Sequence, residues 1–269
     1  MIIPGKNSAI LLIAGSALAL TITARFAAGD NVTRPAAQEA APPAAETILD
    51  RYVEVTGGKR AYGQLHNTLS QGSFYVVGTG IRGSFKAYEA EPNKTLSIIE
   101  IDGGERVEEG TLGDVAWDRS SKEGPHVKEG EDRSIALREA TFNSRLHWRK
   151  LYRTVQCEGS ETLGERKCYR VLLTPNDGQP LTHFYDVESG LLTKSVIMVS
   201  RPSGPIPTEN LYSDYREYSG VLFPCKLAHR VGNEETVVIL DSIRPNVDIA
   251  WYRFDLPAEV KALLAKSRK

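Results

Sequence analysis

The sequence predicts a mainly β protein with a few helices: one large antiparallel sheet that curls, covered on its concave face by helices. Three observations carry this. From Thr68 onward apolar residues recur with a period of two, the signature of half-buried strands. Short strand-like runs are punctuated by Gly, Asn, Asp and Ser at hairpin spacing, so neighbours in sequence pair in space. Two helical stretches, one before the strands and one among them, are available to cover a sheet too wide to stay flat.

In chain order, Lys6 supplies a short positive region and Ala9 to Ile22 is apolar, interrupted by Gly15, Ser16 and Thr21. Ala27-Ala28-Gly29 offers small residues for cleavage after Gly29. Residues 1–29 read as a secretory signal peptide, with an uncleaved anchor as the alternative; the apolar run falls short of the ~20 residues of a span. The first cysteine is Cys157, so no residue near the cleavage point is available for diacylation. The mature chain is expected in an oxidising compartment beyond the inner membrane, most simply the periplasm. Residues 30–45, with Pro35, Pro42 and Pro43, read as a flexible tether, and 46–269 as a single domain.

Glu46 to Val55 reads as an amphipathic helix with Ile48, Leu49, Tyr52 and Val53 on one side, stopped by Gly57-Gly58. A short helical turn is expected within Arg60–Leu65. Strands follow through Phe74 and Val76, Ile81 to Glu89, Thr95 to Ile101, Glu105 to Thr111 and Val115 to Asp118. Ser120 to Gly130 is polar and reads as a loop. Glu131 to Phe142 reads as the second helix, with Ile135, Ala136, Ala140 and Phe142 as its apolar side. Strands resume at Arg153–Thr162, Lys167–Thr174, Leu181–Val187 and Leu191–Val199. After a Gly/Pro loop at Ser203–Pro207 come Thr208–Tyr218, Val221–Val231 and Thr236–Ile243, and a helix follows Phe254-Asp255-Leu256-Pro257. The clearest hairpin is Tyr212 to Lys226, turning at Ser219-Gly220. The total is about eleven or twelve strands.

The 33 basic and 34 acidic residues leave a net charge of −1, with no basic excess to recruit nucleic acid. Cys157 and Cys168 flank a turn at Leu163-Gly164; they are either bridged across the hairpin or two thiols on neighbouring strands. Gly78-Thr79-Gly80-Ile81-Arg82-Gly83 matches a bare GxGxxG pattern, but a strand follows where a dinucleotide site needs a helix. The five histidines lack metal-ligand spacing, and no GxSxG, SxxK or CxxC occurs. No metal, cofactor or catalytic residue is therefore assigned. The aromatics Phe74, Phe85, Tyr88, Trp117, Phe142, Trp148, Phe184 and Tyr212 read either as ordinary core or as the lining of an apolar ligand cavity.

Tyr185-Asp186-Val187-Glu188-Ser189-Gly190-Leu191-Leu192 resembles the Tyr-Asp-x-x-Thr-Gly-Leu-Leu hairpin of LolA-like, outer-membrane-lipoprotein-sorting proteins. Asp214-Tyr215-Arg216 followed by Gly220 and Pro224 is similar to their Asp-Tyr-Arg-x-x-x-Gly-x-x-x-Pro hairpin, and Thr56-Gly57-Gly58 and Phe254-Asp255-Leu256-Pro257 extend the likeness to roughly Ala44–Leu264. The resemblance implies an incomplete β-barrel around helices, with a cavity for acyl chains of lipids or lipoproteins. It carries over no ligand-contacting residue. The expectation is a monomeric, non-catalytic periplasmic carrier of a lipid or acylated lipoprotein, delivering to a membrane acceptor protein. A sensor or protein-interaction module on the same scaffold, with a groove lined by Trp117 and Trp148, is the alternative. A hydrolase assembled at long range from two histidines and carboxylates is a further one.

Overall fold

A computed structural model describes residues 41–200 and 204–267. The signal peptide, most of the tether and the start of the 203–207 loop lie outside the described residues. Among the described residues, thirteen strands form one antiparallel sheet, in the order β6-β5-β4-β3-β2-β1-β13-β12-β11-β10-β9-β8-β7. β1 (Asn67–Val76), β2 (Arg82–Ala90), β3 (Lys94–Ile101), β4 (Arg106–Leu112), β5 (Val115–Ser120) and β6 (Gly124–Val127) make one meander. β7 (Tyr152–Leu163), β8 (Arg166–Pro175), β9 (Leu181–Asp186), β10 (Leu192–Val199), β11 (Ile206–Tyr218), β12 (Val221–Val231) and β13 (Glu234–Pro245) make another. The two are joined where β1 pairs with β13, Thr68 opposite Pro245 through Val76 opposite Thr236. The sheet does not close, and its two edges are β6 and β7. The chain between those edges carries α3 (Gly130–Glu139), a 3-10 turn (Ser144–His147) and α4 (Trp148–Leu151), so this helical crossover runs from one edge to the other.

The hairpins form for the reasons the sequence suggests. Ser219 and Gly220 both adopt positive φ (52° and 78°), the conformation of a two-residue turn that matches strand twist. β1 bends at a register shift between Gln71 and Gly72; a Cβ at Gly72 would lie 1.9 Å from the Ile239 carbonyl oxygen, so only glycine fits there.

Two expectations need correction. The stretch within Ser120–Gly130 is not all loop: Gly124–Val127 pairs with β5, Trp117 opposite Val127 and Arg119 opposite Pro125. An edge strand tolerates the proline that made this stretch look irregular. α3 ends at Glu139 rather than Phe142, because the Phe142 amide donates to Pro92 O (2.9 Å) and Asn143 turns left-handed (φ 52°). Of the apolar side expected for it, Ala140 and Phe142 are buried just past its end, Ile135 and Ala136 are only half-buried, and within the helix the buried residue is Arg138. Of the two readings left open for the cysteines, the unbridged one holds: all three are free, with Cys157 and Cys168 on neighbouring strands. The β7–β8 register sets Cys157 opposite Val171 and Cys168 opposite Glu161, with a shift between Cys157 and Gly159, so the thiols do not face each other.

α1 (Ala45–Val55) and α2 (Gly58–Tyr62) lie on the inner face of the β7–β12 half. Ile48, Leu49, Tyr52 and Val53 pack there with Tyr62, Leu65, Trp148, Val171, Leu173, Tyr185 and Val221. A second cluster joins Phe74, Ile99, Val107 and Val238. A third sits on the outer face, where Leu96 and Trp117 meet Phe254 and Val260 from a 3-10 turn (Trp251–Phe254) and α5 (Ala258–Ser267). Strand alternation separates this face from Thr95 and Ser97, which look inward toward α3. No described helix is long and apolar enough to cross a membrane.

Candidate functional site

Packing between the inner face and its helical covers is incomplete. A cavity of about 260 Å³ opens between α1, the crossover and strands β8–β11. Its apolar wall comes from Leu49 of α1, Trp148 and Leu151 of α4, Leu173 of β8, Leu181 of β9 and Leu192 and Ile197 of β10. Residues two apart on one strand face the same side, so Leu181, His183 and Tyr185 enter together, as do Asn210 and Tyr212. A second cavity of about 250 Å³ adjoins the first at Glu139, Ser144 and Arg145, and extends over Thr68, Ser70 and Glu89. A third, of about 150 Å³, continues past Glu89 and Glu139 to Ser97, Glu109 and Lys128. The first alone falls just under the ~300 Å³ floor of ordinary ligand sites; with its neighbour it exceeds it.

The cavities are graded in polarity. Around the first, hydroxyl groups are held as neutral donors and acceptors. Tyr212 Oη bonds Ser195 Oγ (3.1 Å) and Tyr185 Oη meets His183 Nδ1 (2.9 Å). Burial pushes the phenols of Tyr52, Tyr185 and Tyr212 above the usual tyrosine range. Burial, with the Arg138 charge nearby, pulls His183 down to about 3, so the imidazole is neutral. Arg145 is held by donation to Tyr62 Oη (3.0 Å) and by the rings of Tyr52 and Phe223, 5.5 and 5.7 Å from its guanidinium carbon. Tyr62 Oη in turn donates to Thr56 Oγ1 (2.8 Å), which donates to Tyr52 O (2.6 Å). This chain ties the crossover to the α1–α2 corner. Toward the other end, burial raises Glu139 and Glu89 above the usual carboxylate range. Both side chains are nonetheless exposed to water, and that solvent contact tempers the push.

Of the eight aromatics singled out in the sequence, Trp148 and Tyr212 line the first cavity and Phe142 the second. Phe74 is sealed in the second core cluster, with Phe85 against it. Trp117 and Tyr88 belong to the outer cluster, so Trp117 and Trp148 form no common groove. Phe184 points away from His183 and Tyr185, under the Lys194 ammonium 5.6 Å from its ring centroid. Sequence reasoning missed Arg138, Arg145, His183 and Tyr185; the Leu181-x-His183-x-Tyr185 alternation was a usable signal for the last two. Ser195 has Tyr212 and Asn210 as partners, neither of them a base. Among the described residues no three His, Cys, Asp or Glu side chains are grouped to hold a metal ion.

No family model matches the chain, and no curated protein matches it. Solved structures do. A DUF1329 family protein from Desulfovibrio piger superposes with a TM-score of 0.57 at 13% identity, over 80% of this chain and 98% of that one. A LolA superfamily protein from Nitrosomonas europaea gives 0.53 at 14%, over 80% and 99%. A putative outer membrane lipoprotein-sorting protein domain from Vibrio parahaemolyticus gives 0.53 at 11%, over 82% and 99%. At such identities the likeness concerns backbone architecture. The open thirteen-stranded sheet with helices on its inner face has the LolA-like fold.

Proposed function

We propose that the protein is a non-catalytic carrier that shelters an acyl chain of a lipid or acylated lipoprotein between α1, α4 and strands β8–β10. The observation that carries this is the apolar wall of the first cavity, which the covering helices leave unfilled. Each methylene moved from water into such a wall is worth about 0.8 kcal/mol, so about ten methylenes supply about 8 kcal/mol, the scale of micromolar binding before association costs. The LolA-superfamily neighbour and the neighbour named for outer membrane lipoprotein sorting support a role in moving such chains. On this reading the protein works beyond the inner membrane as a monomer, needs no cofactor, and passes its cargo to a membrane acceptor protein.

The test is a titration of the mature protein with a fluorescent acyl probe, displaced by unlabelled fatty acid. Saturable uptake is expected, reduced at least ~10-fold by Leu181→Asp, which places a carboxylate in the apolar wall. Tyr75→Asp, at an exposed position, should leave uptake unchanged. No uptake of any acyl chain would overturn the carrier reading and favour a protein-binding module.

A further inference from the structure

The first cavity holds a charge that the fold does not neutralise. Arg138 projects from the inward side of α3 and is 8% exposed, yet Nη1 and Nη2 have no hydrogen-bond partner among the described residues. Buried guanidinium groups ordinarily pair with a carboxylate or several carbonyls. The neighbouring side chains that feel its charge are Tyr152, His183 and Glu139. The first two are neutral, and Arg138 forms no ion pair with the third. Counting the cavity wall, two cations (Arg138 and Arg145) face one carboxylate (Glu139). Arg145 is occupied by Tyr62 and two aromatic rings; Arg138 is not occupied.

From this we infer that the first cavity is an amphiphile site, in which Arg138 receives the anionic head of the ligand, a carboxylate or phosphate, while the Leu181–Leu192 wall takes its chain. This rests on the carrier reading above and narrows it to chains ending in an anion. The guanidinium suits that role because its planar fork meets two oxygens of a carboxylate or phosphate at once. Nη1 lies beneath the β8–β9 turn, 3.5 Å from where a Cβ on Gly178 would stand, with Ser134 on the same side. Ligand entry therefore involves a turn of the Arg138 side chain toward the cavity it borders. Ser195, Asn210 and Tyr212, on the opposite wall, supply further neutral donors for the head.

The experiment compares dodecanoate, dodecyl phosphate and dodecanol, each below its micellar concentration, with inorganic phosphate and acetate as chain-free anions. Calorimetry on the mature wild-type protein should show both anionic amphiphiles binding at least ~10-fold tighter than dodecanol, a difference of about 1.4 kcal/mol. Arg138→Met keeps the apolar stem and should erase that preference, bringing the three amphiphiles to within ~2-fold of one another. Arg138→Lys should retain part of it. Equal affinity of the wild type for all three amphiphiles would overturn the inference and leave the carrier reading standing. So would a preference that survives Arg138→Met, which would place the anion elsewhere. Inorganic phosphate binding as tightly as dodecyl phosphate would overturn it in favour of a small-anion site. If no chain binds at all, the carrier reading falls with it. Should Arg138→Met fail to melt cooperatively, the wild-type comparison and Arg138→Lys decide the matter.

Discussion

Replacing Gly57 with alanine tests how the α1–α2 corner is seated on the sheet. Gly57 has φ 134°, and a Cβ there would stand 2.4 Å from the Gly220 carbonyl oxygen and 3.2 Å from Val221 Cα. The approach is close because the Thr56 carbonyl accepts the Leu222 amide at 2.9 Å, pinning the corner to the β11–β12 turn. Holding a non-glycine residue in that backbone region costs about 1–3 kcal/mol. The backbone overlap adds to it, since neither the turn nor the corner has a flexible side chain to move aside, so about 3 kcal/mol or more is expected. For a domain of this size that is a fall in Tm of about 6–12 °C. Gly78→Ala is the control: its φ is also positive, 75°, but nothing lies within 4 Å of the new Cβ. It should cost only about 1–2 kcal/mol. Thermal melts by circular dichroism measure both. Because Leu49 and Tyr52, just before the corner, line the first cavity, Gly57→Ala should also weaken acyl-probe uptake, and Gly78→Ala should not. Equal losses of Tm in the two variants would refute the close-approach argument.

Two further outcomes concern pH. His229 is buried, pairs through Nδ1 with Asn210 Oδ1 at 2.7 Å, and is pulled by burial to about 4 from a usual 6.5. The unfolded chain therefore takes up this proton first, and the stability His229 contributes is present above pH 6.5 and lost as pH falls toward 4. Urea unfolding should show a slope of about 1.4 kcal/mol per pH unit from this group, absent in His229→Gln; an unchanged slope would count against it. Glu108 is buried between Arg106 Nε (2.9 Å) and Arg119 Nε (2.7 Å). Burial pushes its carboxyl up, but the two arginines win and hold it below 4.5. Its contribution is thus present above pH 4.5 and lost as pH falls through the lowered value. Glu108→Gln should cost about 2 kcal/mol at pH 7, less than for an isolated buried pair because Arg106 keeps Glu100 and Arg119 keeps Glu259. The difference should shrink at pH 3.5; a constant difference would refute the assignment.

The parts of the fold that were legible in the sequence are those where a local signal decides the structure. Hairpins announced by Ser219-Gly220 or Glu188-Ser189-Gly190 form because the turn residues and the period of two agree. The Gly124–Val127 strand was hidden because edge pairing overrides a proline that local rules count against a strand. The candidate site was less legible for a different reason. Aromatic residues mark strands on either face, so Trp117 and Phe184, as apolar as Trp148, point away from the cavity; only the register, set by long-range pairing of β1 with β13, tells the faces apart. Arg138 was passed over because a charged residue on a helix is ordinarily solvated, and nothing local shows that the β8–β9 turn will be packed above it.

The topology also explains why the cavity carries the charge it does. Two meanders joined at β1 and β13 leave β6 and β7 as free edges, and the chain must travel between them. The crossover that makes this journey has to lie over the inner face, so it is both the cover of the cavity and its nearest polar surface. Both cations of the first cavity, Arg138 and Arg145, come from this one segment, and so does its carboxylate, Glu139. The strands supply most of the apolar wall, completed by Leu49, Trp148 and Leu151 of the helices, and the neutral hydroxyls. Chain and head of an amphiphile would thus be recognised by different elements: the chain by a sheet whose register fixes it, the head by a crossover whose sequence is free to vary without disturbing any strand pairing. Exchanging Arg138, Glu139 or Arg145 should therefore change which head group is preferred, while changes at Leu173, Leu181 or Leu192 alter how much chain is held.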